Sequence, residues 1–164
     1  KNRAEKSLLE QIITNKYWKE ATHIGCYIAV GHELRTRLIM QAAWAQGKHV
    51  YVPVIESGMR LSFVEYGSED ACQKHAVYGI EEPVHKGRDD SQKIEFLVVP
   101  AVGIDVSGHR LGYGKGYYDR FLTREGEALH SVGVAYDCCQ LDTIYPQLHD
   151  QVLDDVIFAE TGYL

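Results

Sequence analysis

The chain has 164 residues, 45% hydrophobic and 24% charged, the composition of one globular domain, which excludes a disordered or fibrous class. Its net charge of -6 offers no broad attraction for nucleic acid or an anionic membrane, so neither partner is expected and any anion must be gripped locally. The longest apolar run, 96–104, falls far short of the ~20 residues of a spanning helix, and the opening KNRAEKSLLEQ has no signal-peptide apolar core.

Residues 5–19 carry Leu8, Leu9, Ile12, Ile13 and Tyr17 at helical spacing and predict a helix. Residues 23–30, HIGCYIAV, read as a strand that runs into the polar break Gly31-His32-Glu33. A second helix is expected over 35–46, with Leu38, Ile39, Ala42 and Ala45 on one face and Gly47 as its stop. The β-branched run HVYVPVI at 49–55 predicts a strand buried on both faces. A Ser57-Gly58 turn then leads into a strand over 59–66 in which Leu61 and Phe63 alternate with the other face. Residues 67–93, punctuated by Gly79, Pro83 and Gly87, read as loop. The strongest strand, 95–99, ends at Pro100 and is expected to continue through 101–105 to a Ser107-Gly108 turn. A glycine-rich loop leads into a helix at 117–125, and strands follow at 130–136 and 156–160. Alternating strands and helices predict an α/β fold, a three-layer Rossmann-like sandwich with a mainly parallel central sheet, in a single domain over 1–164.

Cys26, Cys72, Cys138 and Cys139 include no Cys-x-x-Cys pair. The vicinal Cys138 and Cys139 are poor candidates for a structural bridge, because disulfide geometry needs converging Cβ vectors. Reduced thiols and a cytoplasmic location are therefore expected. The histidines show no H-E-x-x-H spacing, so no zinc site is expected.

Chemistry concentrates in 96–122, FLVVPAVGIDVSGHRLGYGKGYYDRFL. Ligands of α/β sheets bind beyond the carboxyl ends of the strands, and this loop follows the strongest strand. Gly112, Gly114 and Gly116 alternate with Tyr113 and Lys115, a pattern that lets backbone N–H groups approach an anion. The helix behind them adds unpaired N–H groups and the positive end of its dipole. Arg110 brings a planar fork and Lys115 a mobile point charge for phosphate. Asp119 suits a magnesium ion, and Tyr113, Tyr117 and Tyr118 offer flat faces for a heterocycle. A plainer reading also fits: a tight turn, with Tyr118 and Phe121 as helix core and Asp119 as a charge that suits the dipole. The segment is neither a Walker loop nor a dinucleotide fingerprint.

Pro100, Asp105, Gly108, Arg110, Leu111, Gly112, Gly114, Gly116, Tyr117, Tyr118 and Asp119 together closely resemble the signature of 5-formyltetrahydrofolate cyclo-ligases, also called 5,10-methenyltetrahydrofolate synthetases. The resemblance extends to Gly31-His-Glu33-Leu-Arg-Thr36, Gly47-Lys48, Pro53, Met59-Arg60, Gly79-Ile-Glu-Glu-Pro83, Gly133-Val-Ala-Tyr-Asp137 and His149-Asp150, and covers 5–160. It implies ATP- and Mg2+-dependent conversion of 5-formyltetrahydrofolate, with or without a polyglutamate tail, to 5,10-methenyltetrahydrofolate through a phosphorylated formyl intermediate. By the same resemblance, Arg110, Leu111, Gly112, Tyr113, Gly114, Lys115, Gly116, Tyr117 and Tyr118 line the ATP, with Arg110 and Lys115 catalytic. Asp119 and Asp150 would bind the metal. Glu33 would hydrogen-bond the pterin ring, Ile28 would pack on it, and Tyr113 to Tyr117 would border the folate. Three positions depart from the family pattern: Ala101 stands for a usual Gly, Arg35 for a common acid and Cys139 for Gln. The family also carries a basic helix that reaches the ATP, and the register of the resemblance places it before Lys1, so 1–164 is expected to lack it. The alternative is a non-catalytic folate- or nucleotide-binding homologue. A monomer is expected.

Overall fold

The computed structural model describes residues 2–75, 79–112, 115–143 and 151–162. Two helices open the chain, α1 (Asn2–Ile13) and α2 (Lys16–Glu20), where the periodicity predicts one. The break falls at Asn15, whose side chain accepts N–H bonds from Tyr17 and Trp18 and caps α2. Asparagine favours this role because its short amide competes with the helical backbone. Ala4, Leu8 and Ile12, four residues apart, are the buried face of α1.

Next come β1 (His23–Cys26), α3 (Arg37–Ala45), β2 (His49–Glu56), β3 (Arg60–Glu65), β4 (Cys72–Lys74), β5 (Glu81–Pro83), β6 (Phe96–Pro100), β7 (Gly103–Asp105) and β8 (Arg110–Leu111). The chain continues with α4 (Tyr117–Glu125), β9 (His130–Tyr136), β10 (Gln140–Leu141) and β11 (Asp155–Ala159). A six-stranded sheet has the order β11-β9-β6-β1-β2-β3. All its neighbours pair in parallel except β2 with β3, so β3 is an antiparallel edge strand. Pro53 is tolerated inside β2 because the β1 ladder stops at Gly25↔Tyr51, before the missing donor matters.

The sheet is covered on both faces, as its continuously apolar strands require. Phe96 and Val98 of β6 point into one core with Leu8 and Ile12 of α1 and Ile39, Met40 and Ala43 of α3. Leu97 and Val99 point into the other, with Phe121 and Leu122 of α4. The buried face of α3 is Ile39, Met40 and Ala43; of the predicted stripe, Ile39 alone is fully buried and Ala45 is exposed. Gly47 ends α3 as predicted, at φ +73°, with Lys48 N–H returning to the Ala43 carbonyl at 2.9 Å.

From β1 the chain crosses through α3 to β2 on one side; from β6 it crosses through α4 to β9 on the other. The direction reverses between the adjacent strands β1 and β6, which makes their carboxyl ends the topological switch point.

Two predicted strands are shorter than their apolar runs. β1 stops at Cys26 because Tyr27 turns away: its carbonyl accepts Thr36 Oγ1 at 2.6 Å and its phenol donates to the Leu34 carbonyl. The expected 101–105 extension of β6 is a separate strand, β7, in a small sheet of order β10-β7-β8. The expected loop at 67–93 contains the β4–β5 hairpin.

Candidate active site

Three loops leave the sheet at the switch point, following β1, β6 and β9. They enclose a cavity of about 580 Å³ lined by Val30, Gly31, His32, Glu33 and Leu34 from the first loop, Ala101 and Val102 from the second, and Tyr136 and Cys139 from the third. The first loop is a tight turn. Glu33 N–H donates to the Val30 carbonyl at 3.1 Å, and Val30 N–H donates to Glu33 Oε2 at 2.9 Å. Gly31 at φ +57° supplies the left-handed conformation. The Glu33 carboxylate is thereby fixed at the cavity wall. Ile28, one step inside, is half-buried against the core that contains α1 and α3.

The second loop begins with a buried anchor. Asp105, 4% exposed, accepts the N–H groups of Ser107 at 2.9 Å and His109 at 3.0 Å on Oδ1. This closes a turn through Gly108 at φ +85° and presents β8 antiparallel to β7. Arg110, on β8, is held by its Nε–H bond to the Pro100 carbonyl at 2.9 Å, and its guanidinium lies 5.2 Å from the Tyr118 ring centre. A Cβ on Gly112 would lie 2.5 Å from Arg110 Nη2; the glycine makes room for the guanidinium. Leu111 is exposed beside it.

Gly116, at φ +68°, opens α4. Arg120 closes this start: Nη1 donates to the Lys115 carbonyl and Nη2 to the Met59 carbonyl, each at 2.9 Å, and the guanidinium lies over Tyr117. Lys115 is itself exposed. Asp119 Oδ1 accepts Gln151 N–H at 3.3 Å. Phe121 is fully buried core, and Tyr117 and Tyr118 pack against that core, so the plainer structural reading of α4 holds for its inward face.

The Tyr118 phenol ties the two halves of the site together. Burial pushes its pKa well up, Arg110 draws it down, and Glu33 adds to the rise. Glu33 and Arg110, 77 positions apart, thus bias the ionisation of one phenol in opposite directions. On the far wall, burial raises the Tyr136 phenol, and the Glu5 carboxylate adds to the shift. Arg35, which departs from the family pattern, pairs with Glu5 of α1 at 3.8 Å.

The model of the 5-formyltetrahydrofolate cyclo-ligase family matches residues 1–159. The chain belongs to the 5-formyltetrahydrofolate cyclo-ligase family. A relative of that name from Haemophilus influenzae is 30% identical over 161 residues, covering 95% of this chain and 86% of its own. The solved 5,10-methenyltetrahydrofolate synthetase of Aquifex aeolicus matches with a TM-score of 0.79 at 25% identity, over 98% of this chain and 79% of that one. The synthetase of Mycoplasma pneumoniae, at 20% identity and a TM-score of 0.71, covers 95% of this chain and 82% of that one and shares the fold.

In this cyclo-ligase family member the predicted residues Ile28, Glu33, Gly112, Lys115 and Gly116 lie on loops, Arg110 and Leu111 form the short strand β8, and Tyr117, Tyr118 and Asp119 form the first turn of α4. Tyr113, Gly114 and Asp150 lie outside the described residues. No group of three His, Cys, Asp or Glu side chains able to hold a metal occurs among the described residues, and no described helix is long and apolar enough to cross a membrane. The sequence reading of the site omitted Val102, Tyr136 and Cys139 of the cavity wall, and Arg120. Only Arg120 had a local signal, its four-residue spacing from Gly116 at the helix start.

Proposed function

We propose that the chain catalyses the ATP-dependent conversion of 5-formyltetrahydrofolate to 5,10-methenyltetrahydrofolate, with release of ADP and phosphate. The observation that supports it best is the convergence of the Glu33 loop with the loops after β6 and β9 on one cavity large enough for a bicyclic ring. The Glu33 carboxylate accepts hydrogen bonds from pterin N–H donors, and Ile28 packs on the ring. Arg110, Leu111, Gly112, Tyr113, Gly114, Lys115, Gly116, Tyr117 and Tyr118 cradle ATP, with Tyr113 to Tyr117 shared with the folate.

An N-formyl amide is a poor electrophile. Its oxygen attacks the γ-phosphorus, the bond to ADP breaks, and the formyl carbon becomes a phosphorylated imidate. Folate nitrogen 10 then attacks that carbon and gives up its proton, the carbon–oxygen bond breaks so that phosphate leaves with the former formyl oxygen and that proton, and the ring closes. The protein contributes positioning and charge stabilisation during phosphoryl transfer. Arg110 and Lys115 offset charge on the transferring group, and the α4 N-terminus adds backbone donors. Asp119 and Asp150 would hold Mg2+ through carboxylate oxygens, hard donors suited to that ion. Magnesium supplies neutralisation of phosphate charge.

The test is ultraviolet absorbance of the methenyl product on mixing the protein with 5-formyltetrahydrofolate, Mg2+ and ATP. Product is expected only with ATP. Lys115→Ala is expected to raise the KM for ATP about tenfold, the equivalent of ~1.4 kcal/mol, and Glu33→Gln to raise the KM for the folate. Folate binding without turnover would identify a non-catalytic homologue.

A further inference from the structure

Cys138 and Cys139 sit in the 3-10 turn Asp137–Cys139 that follows β9. Their sulfurs are 3.9 Å apart. Cys138 is exposed, whereas Cys139 lines the cavity with Tyr136 and Val102. The turn is braced on two sides. Asp137 accepts the Thr161 backbone N–H at 3.1 Å and its hydroxyl at 2.8 Å. On the other side the Cys139 carbonyl lies against Gly103, where an added Cβ would stand 3.2 Å away. The backbone that carries the two thiols is therefore held in place before any ligand arrives.

A disulfide needs its sulfurs about 2.05 Å apart, so this braced pair would have to move to oxidise. Two sulfurs bonded to one centre at about 2.3 Å stand roughly 3.3–3.8 Å apart for bond angles of about 90–110°, so the pair needs only a small approach to share one atom. Burial holds the Cys139 thiol above its ordinary value and the neighbouring Cys138 adds to the rise, which disfavours the thiolate that peroxide attack requires. A divalent metal ion would need further ligands, and no group of three suitable side chains occurs among the described residues. A trivalent organoarsenical needs two sulfurs and no more from the protein.

We propose that Cys138 and Cys139 form a dithiol clamp at the rim of the cavity that captures trivalent organoarsenicals, and that capture blocks the cavity. For an arsine oxide R–As=O, two As–S bonds form, the arsenic–oxygen bond breaks, and the two thiol protons leave with the oxygen as water. No electrons are transferred. Joining the two thiols in one turn makes the second bond intramolecular, the source of selectivity over single cysteines. The blocking half rests on the assignment of the cavity to the folate.

The experiment uses phenylarsine oxide on the full chain. Mass spectrometry is expected to show one phenylarsenic per chain, and thiol titration after unfolding to fall from four free thiols to two. A dithiol such as 2,3-dimercaptopropanol should reverse the adduct, and a monothiol at equal thiol concentration should not. Cys138→Ser and Cys139→Ser should each abolish the adduct, and Cys138→Ser should keep basal turnover in the presence of the arsenical. An adduct that survives in both variants overturns the clamp. A wild-type adduct that leaves folate binding and turnover unchanged overturns the block. A protein with no turnover at all would count against the proposed reaction, while adduct stoichiometry and folate binding would still decide the clamp and the block.

Discussion

Arg120 donates to the carbonyl of Lys115, five residues behind it, and with its other terminal nitrogen to the carbonyl of Met59, 61 positions away. One planar fork thus fastens the start of α4 to the turn between β2 and β3. The fork geometry is what permits this, since the two terminal nitrogens of a guanidinium aim at separate acceptors while a lysine ammonium acts as a point charge. Met59 itself sits at φ +58°, the left-handed region that side chains rarely adopt. Arg120→Ala is expected to cost about 1 kcal/mol of stability. If the freed loop loses a similar amount of binding energy, the KM for ATP rises about fivefold. Steady-state kinetics with each substrate varied would check this. An unchanged KM for ATP would separate Arg120 from the phosphate loop.

Asp105 is buried and carries two backbone N–H bonds on one oxygen. Asp105→Ala leaves both donors without that partner and is expected to destabilise the fold by about 2–4 kcal/mol. Asp105→Asn keeps an oxygen in the same place and should avoid much of that loss. Denaturant unfolding of the two variants tests the difference.

Gly25, in β1 between β2 and β6, has no room for a side chain. An added Cβ would lie 2.7 Å from Leu97 Cδ1 and 3.0 Å from Ile94 Cδ1. Both neighbours are buried, so they can yield only by repacking. Gly25→Ala is expected to cost about 1–3 kcal/mol by overpacking, visible as a lower Tm.

Glu95 couples acid stability to the opposite end of the sheet. Burial raises its pKa, but the Thr22 N–H, the His23 ring, the Thr22 hydroxyl and the His23 N–H outweigh that and hold it below its ordinary 4.5. A carboxylate depressed by folding contributes stability that is complete above the unfolded value and fades as pH falls through the folded one. Thermal melts below pH 4.5 should therefore steepen in the wild type relative to Glu95→Gln. Parallel profiles would show that these bonds carry no linkage.

The glycine loop, the strand before it and the helix after it were legible in the sequence because their chemistry is local. The glycines at 112 and 116 mark a tight loop before a helix, and β-branched runs bounded by glycine and proline declare buried strands. Local signals also misled where a side chain with another use cut an element short. Asn15 capped a new helix inside one apolar stripe, and Tyr27 left the strand to meet Leu34 and Thr36.

The tertiary structure alone decided which loops share the cavity. Val30, Val102 and Tyr136 meet there because three parallel strands end at one edge and the crossover direction reverses between β1 and β6. No spacing within any one segment encodes that meeting. The sequence by itself determined the strands, the glycine loop and the family pattern, since each is written in residues that are neighbours along the chain. The cavity wall and the Arg120 fastening are products of sheet order, which brings together residues that the chain keeps far apart and sets the two chain-neighbour thiols beside the cavity.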